Sequence, residues 1–455
     1  MMITFSGERF QTVPLFCLAM AEGVCYTVEQ DIEITEKVSG DKMEKTKQRG
    51  NVPVSKKTKK KSKTKSRSRN NIGVKLIEKP EYYDYNLVAA IILLTCFGLV
   101  MLYSTSAYTS TIKYGDDMYF FKKQAAISFV CIAGALFISM FDYHILARFT
   151  GVLYGVAAGS MVLVRTPLGT VSNGARRWLR IGPIQFQPAE IAKIAVIVCL
   201  SYMIVHMGKK MNSLKACMTL GAMGTFLALL AYVCTDNLST AIIIFCITVG
   251  MIFVAHPKTR IFLILAAVAI AFLAILVFVI GQSVKETDDF RLNRIIAWLH
   301  PENATGTAAY QTIQALYAIG SGGFLGRGLG NSIQKLGSVP EAQNDMIFSI
   351  ICEELGIVGG VILLLLFGYL LYRLCFIAQN APDLFGSLIV SGIFIHIALQ
   401  VILNIAVVVN LMPNTGVTLP FISYGGTSIM FLMAEMGLAL SVSRQIKLKT
   451  PERAA

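Results

Sequence analysis

Asp345 stands in the segment VPEAQNDMIFSIICEELG, where a polar stretch gives way to an apolar run of membrane-spanning length. A carboxylate at such a boundary loses part of its hydration, so its pKa is expected to rise toward the range of a general base. The same position suits a helix cap, because Asn344 and Asp345 are both favoured at a helix start. Spacing alone leaves both readings open. Glu353 and Glu354 lie two turns further into the run, where an unpaired charge is costly, so they must face a polar cavity or meet a basic partner.

Two further groups of residues carry charge in unusual places. Glu190 and Lys193 of QPAEIAK are three apart on one helix face inside an apolar run, the arrangement of a structural ion pair. Arg176, Arg177 and Arg180 of NGARRWLRIGP suit bidentate phosphate recognition, or a headgroup anchor together with Trp178. The glycine-rich stretches 321–332 and 423–428 lack the strand and lysine of a phosphate-binding loop, and read as tight turns or close helix packing. Pro413 and Pro420 of PNTGVTLPF suggest a re-entrant or broken element beside a cavity.

The elements that must hold these groups are transmembrane helices. The chain of 455 residues is 55% hydrophobic with a mean hydropathy of +0.61, above the apolar share of about 45–50% in soluble domains. Runs near 86–106, 124–141, 149–164, 188–207, 216–234, 238–255, 261–281, 346–372, 385–409 and 421–441 are each long enough to cross a bilayer. An all-α, polytopic membrane fold of about ten helices over 85–445 is therefore expected. Between the seventh and eighth helices, the connection 282–345 is long enough to hold structure of its own. Its piece RLNRIIAWL, with Arg291 and Arg294, has the spacing of an interfacial helix.

The net charge of +14 belongs to the N-terminal tail, since residues 45–69 hold twelve Lys or Arg and no acid. Residues 1–84 are expected to be a disordered basic tail on the cytoplasmic side, attracted to the anionic inner leaflet. The alternate connections then carry the remaining excess of Lys and Arg inside, with the tail 446–455, so both termini are expected in the cytoplasm. This leaves Asp345, the arginine loop and the segment 282–345 on the outer face. The eight cysteines in or beside apolar runs form no CxxC pair and read as small buried hydrophobes, with no metal site and no disulfide framework. Nothing in the chain suggests binding to nucleic acid.

Taken together, NGARRWLRIGP with QPAEIAK, then YQTIQALYAIGSGGFLGRGLGNSIQKLGSVPEAQNDMIFSIICEELG and LPFISYGGTS, resemble the ordered motifs of the SEDS family, whose members are FtsW, RodA and SpoVE. The ARRW and KLGSVPEAQND segments look closer to FtsW and SpoVE, which favours division or sporulation over elongation. Gln343, Asn344 and Met346 stand where FtsW-like members commonly have His, Thr and Phe. The resemblance implies a SEDS-type fold and a bacterial peptidoglycan glycosyltransferase that polymerises lipid II at the outer face of the cytoplasmic membrane. It implies a class B penicillin-binding protein as partner, beside other division or sporulation membrane proteins. It also puts the family's proposed catalytic aspartate at Asp345, which favours the general base over the cap.

On that reading Asp345 takes the proton of an acceptor 4-hydroxyl, which displaces polyprenyl pyrophosphate with inversion to give a β-1,4 bond. Arg176, Arg177, Arg291, Arg294 and Lys193 are the candidates to bind the anionic substrate and its leaving group, with Glu190 and Gln311 as further substrate contacts. A divalent cation, Mg or Mn, is compatible with the leaving group, although no ligand cluster is visible. The rival expectation is a lipid II flippase, resting on the intramembrane charges Glu190, Lys193, Glu353, Glu354 and Glu435.

Overall fold

The computed structural model describes residues 82–172, 175–182, 184–257, 290–299 and 307–447, with scattered positions between 260 and 279. The basic tail, most of the seventh expected span near 261–281, most of the early part of the long connection and the last eight residues lie outside the described residues. Eleven helices are present among them: α1 (Tyr85–Tyr114), α2 (Tyr119–Ile138), α3 (Ile145–Leu163), α4 (Pro188–Met207), α5 (Leu214–Thr235), α6 (Leu238–Ala255), α7 (Phe290–Leu299), α8 (Thr307–Gly322), α9 (Ile347–Gln379), α10 (Leu384–Val408) and α11 (Gly426–Ser443). Nine of these, all but α7 and α8, are long and apolar enough to cross a membrane. They coincide with the nine described runs expected from hydropathy.

Local chemistry starts and stops these helices where the polar connections lie. The side chains of Asp84, Ser213, Asn237 and Asp383 accept hydrogen bonds from first-turn amides of α1, α5, α6 and α10, and Pro188 occupies the first turn of α4. Little amphipathic pattern is visible in the spans because lipid and protein interior are both apolar. By contrast α7 segregates its faces, as expected for the RLNRIIAWL segment. The last span begins at Gly426 and not near 421, because Phe421 has φ of 63° and residues 421–425 turn before the helix can start.

One element has no counterpart in the hydropathy pattern. The arginine-bearing connection forms a three-stranded antiparallel sheet, β1 (Gly169–Ser172), β2 (Ala175–Ile181) and β3 (Ile184–Phe186), with β2 in the centre. Its strands are too short and too polar to register against ten long apolar runs.

Close packing depends on missing side chains at a few crossings. A Cβ at Gly98 of α1 would lie 2.6 Å from the Phe421 carbonyl oxygen and 2.9 Å from Ile422 Cα, both backbone. Neither can swing aside. Gly98→Ala is therefore expected to cost about 1–3 kcal/mol, seen as a lower melting temperature of the purified protein; an unchanged melting temperature would show that the α1 crossing can relax.

The eighth expected span, α9, is broken. Gly356 has φ of 69° and ψ of −169° within it, and a Cβ there would lie 2.4 Å from Gly326 N and Phe324 O. The glycine-rich loop fills the break: Ile357 N donates to Gly323 O, Gly328 N to Glu354 O and Arg327 N to Glu353 O at 2.9–3.1 Å. A broken helix inside a bundle needs such substitutes for its lost backbone partners. The tight-turn reading of the stretch 321–332 holds, with Gly323, Gly326, Gly328 and Gly330 at positive φ.

Every intramembrane charge on which the transport expectation rested has a partner. Glu354, fully buried, meets Lys335 Nζ at 2.7 Å and Ser104 Oγ at 2.7 Å; Glu353 accepts from Ile333 N at 3.1 Å and lies 3.8 Å from Arg327. Glu190 pairs with Lys193 at 2.9 Å, and Glu435 of α11 with His396 of α10 at 2.8 Å. At the far end of the bundle from Asp345, Arg373 of α9 closes on Asp84 at 2.6 Å.

Candidate active site

Asp345 lies two residues before α9 and is 9% exposed. No side-chain cap hydrogen bond is formed at this helix start, so the capping role open to it on spacing is not the one it plays. Burial pushes its carboxyl up to about 6; the negative charge of Glu341 adds to this, while its own amide and the positive charge of Arg294 oppose it.

The wall beside this carboxylate is the irregular segment 410–418 between α10 and α11. Gly416, at φ of 68°, lies beside it: a Cβ there would be 4.0 Å from Asp345 Oδ2. An extended segment has no internal backbone partners, so its carbonyls must be met by neighbours. Trp298 Nε1 donates to Asn410 O at 3.0 Å and Arg294 Nη1 to Asn414 O at 3.1 Å, both from α7. From α10, Asn404 Nδ2 donates to Val417 O at 2.8 Å and Gln400 Nε2 to Thr418 O at 3.1 Å. Ser239 of α6 holds Thr415 O. Gln311 of α8 accepts from Asn414 Nδ2 at 2.8 Å and donates to Pro340 O at 3.1 Å. Side chains of four helices, α6, α7, α8 and α10, thus converge on one segment, which has the broken, non-helical backbone expected of the PNTGVTLPF motif.

Two guanidiniums face this region. Burial, then the charge of Arg177, pulls Arg294 below its ordinary value, with Asp345 acting in the opposite sense. Arg177, in β2, is likewise depressed by burial against the support of Asp236, whose carbonyl it contacts at 3.4 Å. Two partly desolvated cations that repel each other, with one carboxylate set back beside them, form a site that gains from an added anion. Asp236 itself is shared with Arg165 at 3.2 Å, so the sheet is tied to the end of α5.

The sequence-derived candidates therefore divide. Asp345, Arg294, Arg177 and Gln311 belong to one network. Glu190 and Lys193 form a separate buried pair, with Ser428 Oγ 3.4 Å from Glu190, the structural role read for them at first. Arg176 is exposed and, among the described residues, reaches the Arg165 carbonyl at 3.5 Å. The Arg291 side chain lies outside the described residues. Asn404 and Asn414 were not singled out from the sequence; Asn404 carried a signal, as a polar residue inside an apolar span.

A family model described as cell cycle protein, built on FtsW, RodA and SpoVE, matches residues 85–448. The chain belongs to this family. Similar FtsW/RodA/SpoVE proteins include the stage V sporulation protein E of Bacillus subtilis, 37% identical over 79% of this chain and 97% of that one. A probable peptidoglycan glycosyltransferase FtsW of Geobacter sp. is 33% identical over 82% and 99%. Among solved structures, a chain of a peptidoglycan synthase complex that coordinates polymerization and crosslinking aligns with a TM-score of 0.64 at 26% identity, covering 80% of this chain and 98% of its own. The rod shape determining protein RodA of Thermus thermophilus aligns at 0.56 with 27% identity, covering 81% and 98%. With the family comes the SEDS-type fold, and with nine apolar helices the chain is a multi-pass membrane protein.

Proposed function

We propose that this protein is a peptidoglycan glycosyltransferase that polymerises lipid II into β-1,4 glycan strands at the outer face of the bacterial cytoplasmic membrane. The observation that carries the proposal is a buried, raised-pKa carboxylate under the charge of Arg294, whose own neighbour in charge is Arg177, beside a wall whose carbonyls are met by side-chain amides and by Arg294. Asp345 accepts the proton of the acceptor 4-hydroxyl as that oxygen attacks the anomeric carbon of the donor. The bond to polyprenyl pyrophosphate breaks, and the departing diphosphate is held by Arg294 and Arg177. A divalent cation shares the diphosphate charge if one binds with the substrate. The names of the FtsW relatives support this activity.

The engagement of Glu190, Glu353 and Glu354 by Lys193, Arg327 and Lys335, and of Glu435 by His396, speaks against the flippase reading, because each of these carboxylates is held by a neighbouring side chain. Both termini lie in the cytoplasm on this reading. The partner is a class B penicillin-binding transpeptidase, supported by the similarity to a chain of a complex that couples polymerization to crosslinking, and the cell process is division or sporulation.

The test is the purified full-length protein with its transpeptidase partner and labelled lipid II. Glycan polymer is the expected product; none from folded, partner-bound protein would sink the reading. The pH profile tests the base. Asp345 works only as the carboxylate, so kcat/KM is expected to rise with pH through about 6 and then level off. An acid limb near 4 would mean that the carboxylate is not desolvated during turnover.

A further inference from the structure

Asn404 occupies the face of α10 that points at Asp345, in line with His396 and Gln400 at successive four-residue steps. Such spacing puts all three on one side of the helix. They are 1–3% exposed. Polar side chains this deep in an apolar span carry a burden that packing does not require. His396 discharges it on Glu435 and Gln400 on a single carbonyl. Asn404 does something different.

Its one amide nitrogen donates to Asp345 O at 2.7 Å and to Val417 O at 2.8 Å. Both protons of the NH₂ group are thereby spent, one on the residue that bears the carboxylate and one on the wall beside it. Its Oδ1 has no hydrogen-bond partner among the described residues, so the side chain is used here purely as a double donor. The Asp345 carbonyl stands before the first turn of α9, and the amides of that turn do not claim it. The Val417 carbonyl follows directly on Gly416, where a Cβ would lie 4.0 Å from Oδ2. Asn404 thus bridges two chain segments that are far apart in sequence and carry the two sides of the carboxylate's surroundings.

We propose that Asn404 is a positioning residue for glycosyl transfer, which sets the Asp345 carboxylate against the 410–418 wall by clamping the two backbones together. The inference rests on Asp345 being the base. A primary amide is the side chain that fits: Asp at 404 would point lone pairs at two carbonyl oxygens, and Leu, of nearly the same shape, would leave both carbonyls without a donor.

The clamp acts on geometry and not on substrate contact, and a misplacement of about 1 Å can cost on the order of 100-fold in rate. With labelled lipid II and the partner-bound full chain, Asn404→Leu and Asn404→Asp are expected to lower kcat by roughly 10- to 100-fold with KM changed less than about twofold. In Asn404→Asp, any ionised fraction of the new carboxyl adds to the charge of Glu341 against that of Arg294 and moves the acid limb to higher pH. Gln400→Leu, one turn further from Asp345, is expected to lose much less. Equal losses in Gln400→Leu and Asn404→Leu, or a wild-type kcat in Asn404→Leu, would overturn the proposal. Asp345→Ala run beside them separates the two claims: polymer from that variant removes the base itself, whereas its inactivity beside a fully active Asn404→Leu removes only the clamp. Should Asn404→Leu not fold, Gly416→Ala strains the same wall at its positive φ, and wild-type kcat there counts against the clamp.

Discussion

Asp345→Asn is expected to lower the rate of glycan formation from lipid II by about 10²–10⁴-fold, the usual worth of a positioned general base. Asn keeps the size and much of the hydrogen bonding of the carboxyl group but cannot take the acceptor's proton. The substitution is also gentle on the fold. Burial already favours the neutral carboxyl at this position, so a neutral amide removes a desolvated charge and leaves the backbone clamp from Asn404 intact. Melting temperature close to wild type together with loss of polymer is the expected pair of results. Retention of more than about a tenth of the wild-type rate would mean that another group takes the proton.

The largest loss of stability is expected from Lys335→Met. Glu354 is fully buried, and Lys335 is its cationic partner at 2.7 Å. Removing one member of a buried pair strands the other charge, at a cost of about 3–5 kcal/mol. Ser104 stays bonded to Glu354, yet a hydroxyl cannot neutralise it. The double variant Lys335→Met/Glu354→Gln should recover much of the loss, because the amide carries no charge to strand. Thermal unfolding of the purified protein reads both. A double variant no more stable than Lys335→Met would show that the loop 323–336 is held by the lysine's contact with the Gly330 carbonyl and not by charge pairing. This loop leads directly to Asp345, so the single variant should lose polymerisation as well.

The spans were legible because lipid imposes a simple rule of length and apolarity, and α1 to α6 and α9 to α11 obey it. The amphipathic α7 was legible for the same reason, from the alternation in RLNRIIAWL. The sheet was not: β1 to β3 are held by pairing between short strands, and pairing partners leave no periodic mark. Of the candidate substrate residues, Arg294 acts on Asp345 and is linked to Arg177 by charge and to Gln311 through Asn414, while Glu190 and Lys193 satisfy each other. Residue type separated none of these cases, since each is a polar group beside an apolar run.

By itself the sequence determined that the chain is a multi-span membrane protein, roughly where each helix runs, and that a carboxylate stands at the mouth of one of them. These follow from transfer of side chains between water and lipid, a property of each residue and its near neighbours. Only the tertiary structure decided which charges are spent on one another, that Gly356 breaks α9 to admit the glycine-rich loop, and that Asn404 ties Asp345 to Val417. Those outcomes depend on groups separated by tens to hundreds of residues, and a hydrogen bond or ion pair requires contact distance and direction that composition and periodicity do not encode.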